Sequence, residues 1–87
     1  MKRFMTRGIN EALEFEVQLL RWSLYDSMAV AEKDYLQIFE TVEDGTLLHF
    51  SEDPEYRAEH PDMPVLPEKV YIIRDDTVET MLFASEY

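Results

Sequence analysis

The sequence YLQIFETVEDGTLLHF, residues 35–50, has two runs rich in aromatic and β-branched residues on either side of an Asp-Gly pair. Asp-Gly between two such runs predicts a hairpin with a two-residue loop, because a type I′ turn needs positive φ at both central positions. In that register Phe39 lies opposite Phe50, and Glu40 faces His49 across the strands. We therefore predict two antiparallel strands, at residues 35–42 and 46–50.

The residues before this hairpin predict a short strand and one long helix. Residues 3–7 are typical of a strand that Gly8 ends, and Asn10 is suited to cap the helix that follows. Between residues 11 and 31, apolar side chains recur at a four-three-four spacing, which places them on one side of a helix. This stripe comprises Leu13, Val17, Leu20, Leu24, Met28 and Ala31.

The residues after the hairpin predict a long connection and a second hairpin. Residues 51–68, SEDPEYRAEHPDMPVLPE, hold all four prolines and are expected to be irregular. Residues 70–74 and 78–84 predict two further strands, with Arg74 opposite Glu79 in one register. The chain thus reads β-α-β-β-loop-β-β. This is an α+β fold, a single compact domain over residues 1–87, with one long helix on a mainly antiparallel sheet.

The composition excludes several classes of function. Nineteen acidic residues against eight basic ones give a net charge of −11, which disfavours direct binding to nucleic acid. The chain has no cysteine, so disulfides and thiolate metal sites are excluded. Its two glycines cannot form a phosphate-binding glycine motif. No run of 18 apolar residues is present, so we expect a cytoplasmic protein that does not enter membranes.

The predicted helix has a second apolar face, and this face is our main candidate site. Phe15, Leu19, Trp22 and Val30 fall roughly opposite the Leu13–Leu20–Leu24 stripe. Because one sheet cannot cover both sides of a helix, this face predicts a surface that binds a protein partner or forms a homodimer. The alternative is that the chain's own residues cover it. On this interpretation the protein is an interaction module and not an enzyme.

The acidic segment supports an alternative function. It carries Glu52, Asp53, Glu55, Glu59 and Asp62. Carboxylates spaced like phosphates predict an inhibitor that mimics nucleic acid and occupies a basic groove, whereas a solvated acidic surface explains the same residues. Together with His60, some of these carboxylates resemble a cation site, but they lack the spacing of calcium or zinc ligands. We therefore predict no metal and no cofactor.

His49 and Glu40 form the basis of a second alternative, an enzyme. A carboxylate that orients an imidazole is a general-base unit in some active sites. A charge pair across two strands on a solvent-facing surface explains the same two residues. None of the four serines lies in a nucleophile-elbow motif.

Three stretches resemble the family named domain of unknown function 960, a group of small acidic proteins from Gram-positive bacteria. They are RFMTRGINEALEFEVQLLRW, DYLQIFE and MLFASEY. The resemblance covers nearly the whole chain and implies an intact, compact domain with no assigned activity. The family pattern has proline near position 14, where this chain has Glu14, a departure that allows an earlier helix start here, and the sequence leaves the start open between Glu11 and Glu14.

Overall fold

A six-stranded mixed sheet forms the framework of the computed structural model, which describes residues 2–87. The strands are β1 (Lys2–Met5), β2 (Leu36–Thr41), β3 (Leu47–Glu52), β4 (Glu55–His60), β5 (Val70–Asp75) and β6 (Val78–Phe83). Their spatial order is β1-β6-β5-β2-β3-β4. Only the β1–β6 pair is parallel among the described strands, and the other four pairs are antiparallel. The α+β class is therefore confirmed.

Two helices replace the single helix predicted over residues 11–31. The helix α1 (Arg7–Ala12) begins after Thr6, whose side chain accepts a hydrogen bond from the Ile9 amide, so Thr6 and not Asn10 is the cap. The helix α2 (Phe15–Asp26) begins after Glu14. Leu13 and Glu14 both have extended backbone angles, which break the helical hydrogen bonding between the two helices. The prediction of one long helix was wrong for this reason.

The β2–β3 hairpin forms where the sequence predicts it, but its register differs by one residue. The amide of Val42 donates to the Thr46 carbonyl at 2.9 Å, and Gly45 has a φ of 87°. A loop of three residues with glycine in the left-handed region is a common alternative to the two-residue turn. Phe39 therefore pairs with His49 and not with Phe50. A one-residue difference moves every side chain of one strand to the other face relative to its partner.

The segment 51–68, predicted to be irregular, contains the strand β4. A tight turn at Asp53–Pro54, with a cis peptide bond, folds β4 back onto β3. The prolines lie outside the strand, so they interrupt no ladder hydrogen bond of β4. The β5–β6 hairpin has the predicted register, with Arg74 opposite Glu79. The element order is thus β-α-α-β-β-β-β-β.

The core lies between one face of the sheet and the two α-helices. Leu13 and Met28 of the predicted stripe are buried there, whereas Leu20 and Ala31 are exposed. The core cluster comprises Ile9, Leu13, Trp22, Tyr25, Met28, Phe39, Leu47, Leu66, Val70, Ile72, Met81 and Phe83. No helix within residues 2–87 is long and apolar enough to cross a membrane.

The two ends of the chain meet beside the parallel strand pair. A short 3-10 turn, Ala84–Glu86, follows β6 and returns Glu86 to the start of α1. Its carboxylate accepts hydrogen bonds from the Thr6 hydroxyl at 2.7 Å and from the Phe83 amide at 2.8 Å. These bonds lower the pKa of Glu86, with the Phe83 amide as the main cause. A Cβ at Gly8 would lie 2.7 Å from Glu86 Oε2, so glycine leaves the space this carboxylate occupies.

Candidate interaction surfaces

The face of the sheet opposite the helices carries a broad apolar surface, which we call the open sheet face. Successive side chains of a strand point to opposite faces, so the neighbours of the core residues belong to this side. The surface is continuous across four strands, β6, β5, β2 and β3. It is joined by the cross-strand pairs Leu82–Tyr71, Tyr71–Ile38 and Ile38–Phe50. Its apolar members are Phe4, Leu36, Ile38, Leu48, Phe50, Tyr71, Ile73, Val78 and Leu82.

The exposure of these side chains follows their position in the sheet. Phe4, on the edge strand β1, is 52% exposed, and Leu82, on its neighbour β6, is 8% exposed. Most of the others are half-buried among their neighbours on the sheet. Tyr87 lies against Tyr71 at an edge-to-face centroid distance of 5.6 Å and covers one side of this surface. Both α-helices lie on the opposite face, with the core.

The charged residues of the open sheet face are mainly acidic. They are Glu40, Glu52, Glu55, Glu59 and Asp75 against Lys2, Arg57 and Lys69. Lys69 Nζ lies 3.4 Å from Glu40 Oε2, so one of the three basic groups is already paired. The surface therefore presents an apolar centre with an acidic rim.

The predicted site on the helix is only partly at the surface. Phe15 and Leu19 on α2 are 65% and 48% exposed, but Trp22 is only 6% exposed and belongs to the core. Val30 is exposed in the connection after α2 and is not part of that helix. The prediction that Trp22 contributes to an exposed face was therefore wrong, and Phe15 and Leu19 form a smaller apolar surface together with Leu20.

Arg3 of β1 packs over the ring of the buried Trp22. The guanidinium of Arg3 lies 4.5 Å from the Trp22 ring centroid and bonds the carboxylates of Asp26 and Glu79. Glu79 also accepts a 2.6 Å hydrogen bond from the Tyr25 hydroxyl. Burial and this bond raise the pKa of Tyr25, and the Arg3 guanidinium lowers the pKa of Asp26. The cluster attaches α2 to β1 and β6.

His49 and Glu40 do not form the predicted pair, because the hairpin register places them on opposite faces of the sheet. His49 is fully buried and stacks on Phe39 with ring centroids 4.2 Å apart. The side chain of Gln37 donates to the Asp34 carbonyl, which directs its oxygen toward His49 Nε2 at 2.9 Å. Nε2 therefore carries the proton and donates. Burial is the main cause that lowers the pKa of His49 to about 4, with smaller contributions from His60 and Lys33.

The acidic residues of the predicted mimic are divided among different parts of one hairpin. Glu52, Glu55 and Glu59 belong to the rim of the open sheet face, Asp53 lies in the β3–β4 turn, and Asp62 follows β4. Within residues 2–87, no group of three or more His, Asp or Glu side chains is arranged to hold a metal ion.

Sequence reasoning missed both the open sheet face and a buried arginine, Arg21. The signal for the first is the run VYII at residues 70–73, where apolar residues occupy both alternations of one strand. Such a run indicates a strand that is apolar on both faces. Arg21 carries no comparable signal, because its recorded contact is with Pro64, 43 residues away in the sequence.

The comparisons with known proteins agree with the fold. The family model described as staphylococcal protein of unknown function, DUF960, matches residues 2–86. A crystal structure of a protein of unknown function from Enterococcus faecalis is similar, with a TM-score of 0.80 and 19% sequence identity over 99% of this chain and 90% of that one. At this identity the likeness concerns the fold alone. No curated protein matches the chain.

Proposed function

The chain belongs to the DUF960 family of staphylococcal proteins of unknown function, and we propose that it is a non-enzymatic interaction module that binds a basic partner protein through the open sheet face. The observation that carries this proposal is the apolar surface on the side of the sheet opposite both α-helices. A soluble single-layer sheet normally presents polar side chains on its uncovered side.

The size of the open sheet face supports a protein partner. Six strands spaced about 4.8 Å apart, each about 20 Å long, give a flat footprint of roughly 500 Å². The apolar patch within this footprint is in the range of several hundred Å² in which patches on monomers are often functional. The footprint already includes the charged rim and is smaller than the roughly 800 Å² that each partner contributes to a standard interface, which favours a partner of modest size.

The charge of this surface selects the kind of partner. Five carboxylates against three basic groups favour a partner with an apolar centre and a basic rim. A second copy of the chain fits less well, because it carries the same net charge of −11 and the same acidic rim. The proposal therefore predicts binding that weakens as salt is added.

The other surfaces support the remaining hypotheses less well. The helix surface around Phe15 and Leu19 is exposed but has only three large apolar residues. An enzyme that uses His49 with Glu40 lacks its central pair, since the two residues lie on opposite faces of the sheet.

Site-specific photo-crosslinking tests the surface directly. A benzoyl-phenylalanine at Phe50 reports on the open sheet face, and the same group at Phe15 reports on the helix surface as a matched control. A protein crosslinked from position 50 in cells that express the chain is then purified, and its affinity is measured. We expect Phe50→Glu to weaken binding at least tenfold, Phe15→Glu to change it less than twofold, and salt to weaken it.

Three results would contradict this proposal. Loss of binding in Phe15→Glu with retention in Phe50→Glu would place the interface on the helix. Light scattering that shows a wild-type dimer and a monomeric Phe50→Glu variant would make the partner a second copy. Affinity that does not depend on salt would remove the argument for a basic partner. Circular dichroism confirms that each variant is folded.

A further inference from the structure

Arg21 on α2 is completely buried, with 0% of its surface exposed. One nitrogen, Nη2, donates to the Pro64 carbonyl at 2.9 Å. The other two, Nε and Nη1, are buried and have no hydrogen-bond partner among the described residues. An arginine carries five N–H donors, and buried donors without partners are rare enough to require an explanation.

The charge of Arg21 also lacks a partner. The ion pairs within residues 2–87 involve Arg3, Arg7 and Lys69 as the basic groups. The chain has nineteen acidic residues, yet no ion pair within the described residues joins one of them to the buried guanidinium. Burial lowers the pKa of Arg21 to about 10, which leaves the group protonated at neutral pH. A buried charge without a counter-ion is strongly unfavourable, whereas an anion beside it restores the balance.

Gln18 supplies an unpaired acceptor on the same side of the helix. Its side-chain nitrogen donates to the Leu13 carbonyl at 3.0 Å, while its oxygen Oε1 is buried and has no partner in the described part of the chain. Residues three apart are neighbours on a helix surface, so Gln18 Oε1 lies on the side of α2 that carries Arg21. The pair offers N–H donors with a positive charge and, beside them, one acceptor.

A protonated phosphate group matches this arrangement better than a carboxylate or a water molecule. Its oxygens accept from the guanidinium and neutralise the charge, and its P–OH donates to an amide oxygen. An ionised carboxylate has no donor for Gln18, and water does not balance the charge of Arg21.

The segment between β4 and β5, residues 61–69, covers Arg21. It contains no helix or strand. Besides the Pro64 carbonyl on Arg21, the Leu66 amide donates to Thr41 Oγ1 at 3.0 Å, and Met63 packs against the core. At its end, the Glu68 carboxylate accepts from Ser85 and the Lys69 carbonyl accepts from the Ala84 amide. Leu66 is buried in the core, whereas Pro64 and Val65 are exposed. The guanidinium is fully buried and bonded to this irregular segment, so a ligand reaches it only when residues 61–69 move.

We propose that Arg21 and Gln18 form a binding site for a phosphate group, enclosed by residues 61–69. In this site the phosphate oxygens accept from Arg21 Nε and Nη1, and Nη2 keeps its bond to the Pro64 carbonyl. The ligand is either inorganic phosphate or the phosphate of a small monoester. The site is independent of the open sheet face, on the opposite side of the sheet.

Nuclear magnetic resonance of the Arg21 side chain tests the site in the wild-type protein. The Nε–H resonance is followed during titration with inorganic phosphate and, separately, with methyl phosphate, while sodium chloride holds the ionic strength constant. We expect a saturable shift of this resonance with at least one of the two probes. Saturation by both supports a monoester ligand, and saturation by inorganic phosphate alone supports the free ion. No saturable shift up to 50 mM of either probe would overturn the proposal.

Thermal unfolding separates specific binding from a general salt effect. At about five times the dissociation constant, the ligand is expected to raise the melting temperature of the wild type by about 4–8 °C. Arg57→Met, at an exposed arginine, is the matched control and keeps the increase. Gln18→Glu places a carboxylate beside Arg21, and Arg21→Met removes the guanidinium. Both variants are expected to abolish the increase in melting temperature. An equal increase in these two variants and in the wild type would overturn the proposal, and if either fails to fold, the Nε–H titration decides.

Discussion

Lowering the pH from 7 to 5 is expected to destabilise the protein through His49. The ring is fully buried, stacks on Phe39, and donates from Nε2 to the Gln37 side chain. Protonation of the neutral ring adds a second proton at Nδ1, which is buried and has no hydrogen-bond partner in the described structure. Burial therefore lowers the pKa of His49 from 6.5 to about 4 in the folded state.

The sign and size of the effect follow from these two pKa values. Between pH 6.5 and pH 4 the unfolded chain binds a proton that the folded protein excludes, so stability is present above this range and falls as the pH decreases through it. Integration gives a loss of about 1.8 kcal/mol in the free energy of unfolding between pH 7 and pH 5. Asp26, Asp34 and Glu86 also have lowered pKa values, but their ordinary values near 4 place most of their effect at lower pH.

Urea unfolding at pH 7, 6 and 5 measures this loss. With a denaturant slope of about 1–1.5 kcal/mol per molar, the midpoint is expected to decrease by about 1.2–1.8 M between pH 7 and pH 5. His49→Gln removes the titrating ring and keeps a donor for Gln37, so the urea midpoint of this variant should change little between pH 7 and pH 5. His60→Gln, at the other histidine, removes only one of the smaller causes of the lowered pKa of His49, so it should retain most of the wild-type dependence. An equal loss of stability in His49→Gln and in the wild type between pH 7 and pH 5 would show that His49 is not the titrating group.

Further predictions concern single bonds and backbone positions. Tyr25→Phe removes the bond to the buried carboxylate of Glu79 and is expected to cost about 1.5–3 kcal/mol in urea unfolding; a loss under 0.5 kcal/mol would contradict this. Gly45→Ala places a side chain at a φ of 87° with nothing within 4 Å, so we expect a purely conformational cost of about 1–2 kcal/mol, and an unchanged urea midpoint would be inconsistent with it. Gly8→Ala should lower the melting temperature of the wild type, because the new Cβ contacts the Glu86 carboxylate. In a Glu86→Ala background that contact is absent and only the higher helix propensity of alanine remains, so the same substitution should raise the melting temperature by about 4–8 °C. The same effect in both backgrounds would disprove the contact.

The α+β class and most of the strands follow from local sequence patterns, but the faces of the elements do not. The Asp44-Gly45 signal located the hairpin, yet the loop has three residues, and this single residue separates Glu40 from His49. Both turn types use glycine with positive φ, so the local sequence does not distinguish them. The register is set by the burial of Phe39 and His49 together, which depends on the whole sheet.

The helix surface was assigned incorrectly because α2 has apolar residues on several sides. Periodicity alone does not show which side of α2 faces the sheet, because apolar residues occur on more than one side of the helix. They are Phe15, Leu19, Trp22 and Leu24. Packing with residues distant in sequence decides which side faces the sheet: Trp22 and Tyr25 join the core cluster, and Arg3 packs over Trp22. The buried Arg21 was equally unpredictable, since arginine on a helix is ordinarily solvent-exposed.

The parallel pairing of β1 with β6 has a consequence for how the chain folds during synthesis. Arg3 and its partner Glu79 are separated by 76 residues. At about 5–20 residues per second, a ribosome needs roughly 4–15 s to produce Glu79 after Arg3. Glu79 is also the acceptor for Tyr25, so during this interval both the first strand and α2 lack a buried partner. The nascent chain therefore exposes Trp22 and Tyr25 until β6 emerges, and this is the period in which we expect it to need protection from aggregation.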